Sequence, residues 1–197
     1  LMITGGLVLY IILLLPLMFI CELFRKSATP IANIATSLMG VIYVAMPLSL
    51  LLFIPLLLGN GEWRPWTLLF YIFIIWANDV FAYLFGITLG KHRLFERISP
   101  KKSWEGFFGG IVAAMGVALL AAHLLGENMY VWAGLGLISA LAAVAGDLIE
   151  SMFKRAAGVK DSGAIMPGHG GVVDRFDSVF FTLPFVFLFM QLCPILR

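Results

Sequence analysis

The chain has 197 residues, 61% of them hydrophobic and only 12% charged, with a formal net charge of +2. A mean hydropathy of +1.01 excludes a soluble globular domain, because uncharged runs of this kind suit hydrocarbon. So small a net charge says nothing about nucleic acid, and no nucleic-acid partner is expected; the information lies in where the charges sit.

Apolar runs of about 20 residues, the length that crosses a bilayer as helix, fall near 3–21, 34–58, 66–90, 107–125, 130–153 and 174–196. The expected fold class is an all-α polytopic membrane protein with about six transmembrane helices. The chain opens LMITGGLVLYIILLLPL, apolar from its first residue, without a charged leader region or an initiator Met. It is expected to lack N-terminal helices rather than to begin with a signal peptide. Residues 1–60 read as N-terminal transmembrane helices. Residues 61–197 read as a catalytic transmembrane domain with polar loops at 91–106 and 154–173. Pro16, Pro47, Pro55 and Pro184 lie within spans, where a membrane helix tolerates a kink. Cys21 and Cys193 sit in apolar segments and match no metal or redox spacing.

The connections alternate in character. Eleven of the thirteen Lys and Arg fall on the first, third and fifth loops and their helix ends; only Arg64 and Arg197 fall on the other side. The positive-inside tendency makes those odd loops cytoplasmic, so both long polar loops face the compartment where nucleotides are available. Small residues recur beside them: Gly86 and Gly90, Gly106 and Gly110, and the run AGLGLISALAAVAG ending at Gly146. Such stripes allow helices to approach closely without lipid between them.

Asn78 and Asp79 sit mid-span, where an ionisable group costs roughly 2.5–3.5 kcal/mol on insertion scales and is expected to face a cavity or a partner. In the loop that follows, SPKKSWEG at 99–106 offers Ser99, Lys101, Lys102, Ser103 and Glu105. A basic cytoplasmic loop often serves only to orient the protein. Beside an acidic site it becomes a binding surface for an acidic head group or nucleotide, and Ser103 with Glu105 would open the fourth helix.

At about 100° per residue, Asp147, Glu150, Ser151 and Lys154 share one helix face, with Arg155 at its edge. The polar run SMFKRAAGVKDSGAIMPGHGGVVDRFD, residues 151–177, then separates two apolar segments. Its Pro167-Gly168-His169-Gly170-Gly171 turn lets backbone N–H groups approach an anion, and the helix N-terminus behind it adds its dipole. Acidic Asp174 and Asp177 flank Arg175 at that N-terminus, where capping and the macrodipole also favour carboxylates. Oxygen donors from Asp147, Ser151 and Asp174 suit a hard cation such as Mg²⁺, which takes one or two carboxylates and completes its shell with phosphate and water. Lys154, Arg155, Lys160 and Arg175 would neutralise phosphate oxygens. His169 could act as a general acid or base, but is better suited to hydrogen-bond phosphate or order its loop; no cysteine or second histidine nearby supports zinc.

Together these residues resemble phosphatidate cytidylyltransferase. The shared pattern is Ser151, Lys154-Arg155, Lys160-Asp161, His169-Gly170-Gly171 and Asp174-Arg175-x-Asp177, with NDVFAYLFG from Asn78, SPKKSWEG from Ser99 and GDLIESMFKR from Gly146 upstream. Met166 departs from the family's usual Leu, Ile or Phe. The resemblance covers about residues 76–180. It implies CTP plus phosphatidic acid giving CDP-diacylglycerol and pyrophosphate, with Mg²⁺ required and a second ion, divalent or monovalent, as an option. It implies that Asp147 and Asp174 hold the metals with Ser151 nearby, and that the protein works as a homodimer in a bacterial inner membrane. Catalytic roles would fall to Asp147, Asp174, Lys154, Arg155, Lys160 and Arg175. Substrate would meet Asn78, Asp79, Ser99, Lys101, Lys102, Glu105, His169, Gly170, Gly171 and Asp177. The rival readings are a CTP-dependent polyprenol kinase, which transfers the γ-phosphoryl group, and an ion-coupled transporter using Asp79 and Asp147.

Overall fold

The computed structural model describes residues 2–59, 61–159, 162–163, 171 and 173–192, with side chains from residue 12 onward. Its chain divides into two compact units, Leu1–Met46 and Pro47–Arg197. The first holds α1 (Met2–Arg25) and α2 (Pro30–Gly40), followed by a π-helical turn, Val41–Ala45. Pro47, at the start of α3 (Met46–Leu51), lacks the N–H that would continue the ladder, and the backbone relaxes into a wider turn just before it.

The second unit contains α4 (Ile54–Leu58), α5 (Pro65–Leu89), α6 (Trp104–Leu125), α7 (Met129–Ala156) and α8 (Val173–Leu192). Four helical stretches among the described residues are long and apolar enough to cross a membrane: Pro30–Leu58, Pro65–Leu89, Trp104–Leu125 and Met129–Ala156. The sequence-based count of six also includes α1 and α8, which are not among these four. Outward residues such as Ile87, Val112 and Leu124 are more than 60% exposed, a surface that water would penalise and lipid would not. The fold is an α-helical membrane protein. Its one departure from helix among the described residues is a small antiparallel hairpin between α5 and α6, β1 (Arg93–Phe95) with β2 (Ser99–Ser103), where the sequence suggested only a polar loop.

Small residues set the helix spacing. Along α6, Gly106, Gly110, Ala114 and Ala118 recur every four residues and are all buried. They face α5 so closely that a Cβ on Gly106 would sit 2.5 Å from the Ala82 carbonyl oxygen, and one on Gly110 would sit 2.7 Å from Asn78 Oδ1. Gly136 brings α7 onto Ala114 and Ala118 of α6. Gly146 brings α7 onto α8, where a Cβ would lie 2.6 Å from Phe181 Cβ and 3.1 Å from the Asp177 carbonyl. With little hydrophobic drive between helices in lipid, such backbone approach is what holds them. A core of Tyr71, Ile74, Trp132, Leu135, Leu183 and Val186 fills the remaining space. Inside it, Tyr71 shares a 2.6 Å hydrogen bond with Thr182, whose hydroxyl donates to the Val179 carbonyl, so a buried polar pair ties α5 to α8.

Candidate active site

The close contact at Gly146 has a direct chemical result: it places the polar end of α7 against the first turns of α8. Carboxylate oxygens of Asp147, Glu150 and Asp177 all lie within 4.8 Å of one another. Glu150 is only 3% exposed and Asp177 only 9%. Water therefore screens their mutual repulsion poorly, and something positive must offset it.

Part of that offset comes from two lysines. Lys102, on β2, pairs with Asp147 Oδ2. Lys154, one turn beyond Glu150 on α7, lies 2.6 Å from Glu150 Oε2 and donates to Asp174 Oδ1 at 3.0 Å. Among the described residues five acids, Asp79, Asp147, Glu150, Asp174 and Asp177, gather around Lys102 and Lys154. Lys154 is the positive partner of the buried Glu150 carboxylate. Three converging carboxylates, with Glu150 the most buried of them, form a group that could hold a cation such as Mg²⁺.

Asp174 is held quite differently. Its carboxylate accepts from the Ser162 N–H at 2.9 Å, the Ser162 hydroxyl at 2.9 Å and the Gly171 N–H at 2.7 Å, besides Lys154. The sequence reading reserved the glycine-turn N–H groups for a ligand anion. Of those described, Gly171 gives its N–H to the carboxylate of α8's own first turn instead. A Cβ on Gly171 would strike the Ser162 hydroxyl, so only glycine fits there.

The remaining sequence candidates are spread around this centre. Ser151 is half-buried one turn past Asp147, while Arg155 and Arg175 are exposed at the facing ends of α7 and α8. Asn78 is buried and donates to Asp79 Oδ1 at 3.2 Å. Asp79 itself lies near enough to Asp147, Asp177 and Lys102 to feel their charges. On the hairpin, Ser99 is half-buried and Lys101 exposed. Ser103 caps α6 by accepting the Gly106 N–H at 3.2 Å, as its place before the apolar run suggested. Glu105 turns back to the hairpin, 2.7 Å from His92 Nδ1, and accepts the His92 N–H. Lys160, His169 and Gly170 lie outside the described residues.

Sequence reasoning put Glu150 on the polar face of α7 but not among the ligands. Its spacing of three from Asp147 was the available signal. Ser162 and His92 carried no signal of their own, since each matters only through a partner 12 or 13 residues away.

Residues 2–193 match the family model described as "Cytidylyltransferase family". The chain belongs to the cytidylyltransferase family. Similar proteins bear a more specific name. Phosphatidate cytidylyltransferase of Staphylococcus aureus (strain COL) is 51% identical over 119 residues, covering 59% of this chain and 46% of that protein. Its counterpart in Staphylococcus epidermidis (strain ATCC 12228) is 48% identical over the same length. Phosphatidate cytidylyltransferase of Rickettsia bellii (strain RML369-C) is 41% identical over 164 residues, 79% of this chain and 69% of that protein. The chain thus spans about half the length of the staphylococcal relatives. The family match spans α7 and α8, which build the acid group, and the hairpin that brings Lys102 to it.

Proposed function

We propose that the protein is a phosphatidate cytidylyltransferase, joining CTP and phosphatidic acid to give CDP-diacylglycerol and pyrophosphate. The observation that carries this reading is the Asp147–Glu150–Asp177 group with Lys102 and Lys154 in contact, set at the end of a membrane helix. A lipid phosphate and a nucleotide triphosphate must meet at such a boundary. The named relatives support the choice of substrates.

In this reading a phosphate oxygen of the lipid attacks the α-phosphorus of CTP in line, and pyrophosphate leaves. The nucleophile is already an anion near neutral pH, so no side chain need act as its base. The chain's task is to position two polyanions and offset the charge that develops between them. Lys154, Arg155, Lys160 and Arg175 are assigned to phosphate oxygens. Ser99, Lys101, Lys102 and Glu105 on the hairpin side, with His169, Gly170 and Gly171 opposite, are assigned to bind substrate, and Asn78 and Asp79 to line the path of the head group. Asp147, Glu150 and Asp177 would hold Mg²⁺, whereas the resemblance implies Asp147 and Asp174 as the ligands with Ser151 nearby. When bound, the ion would neutralise triphosphate oxygens as a Lewis acid.

The same reading takes α1 and α8 as further spans, for about six in all, in a bacterial inner membrane with the site facing the cytoplasm. The Lys and Arg bias of the odd loops supports that orientation. A homodimer is the assembly that the resemblance implies.

The test is a detergent-micelle assay with phosphatidic acid and CTP labelled at the α-phosphate, with and without Mg²⁺. Mg²⁺-dependent label in lipid is expected. Transfer of γ-label to a polyprenol would favour the kinase instead, and substrate flux in sealed vesicles without nucleotide use would favour the transporter.

A further inference from the structure

Two adjacent lysines on β2 have different fates. Lys101 is exposed, whereas the side chain of Lys102 is 24% exposed and pairs with Asp147 of α7. Asp147 is also one of the three converging carboxylates. An ammonium carried on the hairpin therefore occupies the same carboxylate that the acid group would offer to a metal ion.

The way the hairpin is attached makes this placement adjustable. It packs on α5 and α6, and Ser103 and the His92–Glu105 pair fasten its base to α6. Toward α7 it meets an open apolar groove of about 240 Å³, lined by Phe95 and Ile98 on one side and Ala145, Leu148, Ile149 and Met152 on the other. Across that groove the hairpin and α7 are not interdigitated, so close packing does not lock that seam. The Lys102–Asp147 pair bridges it. A lysine is suited to a bridge that must open: its charge is a hydrated point on a flexible stem, with no fixed fork geometry to lose.

We propose that Lys102 competes with the divalent cation for Asp147. As a positioning residue it keeps the hairpin docked on α7 until the ion takes that carboxylate, and it is then free to meet an incoming phosphate. The idea rests on the reading of the acid group as a divalent-cation site given above. Exchanging a single charge for a double one is favoured by the excess of carboxylates around the site.

Mn²⁺ alone is the probe, titrated into the full chain in detergent micelles without nucleotide and followed by electron paramagnetic resonance. Lys102→Met should bind Mn²⁺ roughly threefold to fivefold more tightly than the unaltered protein, the range expected for freeing a partly exposed pair. Lys101→Met, which removes the same charge without the contact, should change the affinity little. Equal or weaker binding by Lys102→Met, an equal gain in Lys101→Met, or no Mn²⁺ binding by any of the three would overturn the proposal. Hydrogen exchange supplies a readout on the unaltered protein. Amides of residues 93–103 should exchange faster when Mn²⁺ is added, and unchanged exchange would also sink the idea. Tighter Mn²⁺ binding without lipid labelling in the cytidylyl assay would remove the reaction and leave the competition standing. Lipid labelling with unaltered Mn²⁺ affinity in Lys102→Met would do the reverse.

Discussion

The start of α8 and the end of α7 bring carboxylates to within one lysine of each other, yet they treat them in opposite ways. Asp174 is surrounded by donors: two backbone N–H groups, a hydroxyl and the Lys154 ammonium. Glu150, on the far side of that ammonium, is buried with that single ion pair. A buried carboxylate with one shared cation is costly, and a fold that keeps one beside two more carboxylates is not spending that cost on its own stability. Asp174 organises the chain around the α7–α8 connection. Asp147, Glu150 and Asp177 are the residues left with coordination to offer.

The largest effect that could break this division is loss of chemistry without loss of structure. Asp147→Asn and Asp177→Asn should each lower lipid labelling by about 10²–10³-fold, the scale of removing one preorganised charge-stabilising group, while thermal unfolding in detergent stays near that of the unaltered protein. Unaltered activity in both variants would take the acid group out of the reaction.

Asp174→Asn should show a different pairing of effects. The amide puts an NH₂ where Ser162, Gly171 and Lys154 present donors, so unfolding should become easier by about 3 kcal/mol, the scale of hydrogen bonds to a charged group, and activity should fall with it. A variant that is inactive but melts normally would return Asp174 to the ligands, the role that both the residue pattern and the resemblance suggest. Glu150→Gln sharpens the contrast from the other side. It removes a buried charge whose partner Lys154 keeps Asp174, so its melting temperature should hold or rise, while Mn²⁺ affinity measured by paramagnetic resonance should fall at least about tenfold. A large drop in stability would mean that the Lys154 contact alone suffices to make Glu150 structural.

Much of this was legible in the sequence, because membrane helices leave a periodic apolar record and because ionisable residues stand out against it. The stretches at 66–90, 107–125 and 130–153 correspond to α5, α6 and α7, and the Ser103 cap was visible as a hydroxyl before an apolar run. Asp147 and Lys154 stand out by helix face, and Asp177 by its place at a helix entry. What stayed hidden depends on pairing between segments. Strand residues 93–95 and 99–103 are charged and short, with none of the β-branched alternation that marks a strand. The division of labour between Asp174 and Asp177 also depends on which carboxylate the Ser162 and Gly171 N–H groups reach, and no spacing rule fixes that.

The smallest expected effect concerns the joint between the hairpin and the site. Ser103 ends β2 and caps α6, one residue after Lys102 and two before Glu105. Ser103→Ala should cost about 1 kcal/mol through the lost cap, whereas Ser103→Gly should cost only a few tenths, because glycine is a tolerable cap and alanine is not. The buried hydroxyl also sits against Gly86 of α5, 3.5 Å from where a Cβ would be, which supplies the competing explanation. If the hydroxyl mattered mainly for filling that contact, glycine would be the worse substitution, since it removes more of the side chain. The order of the two melting temperatures therefore decides whether the hairpin is aimed at Asp147 by a helix cap or by packing against α5.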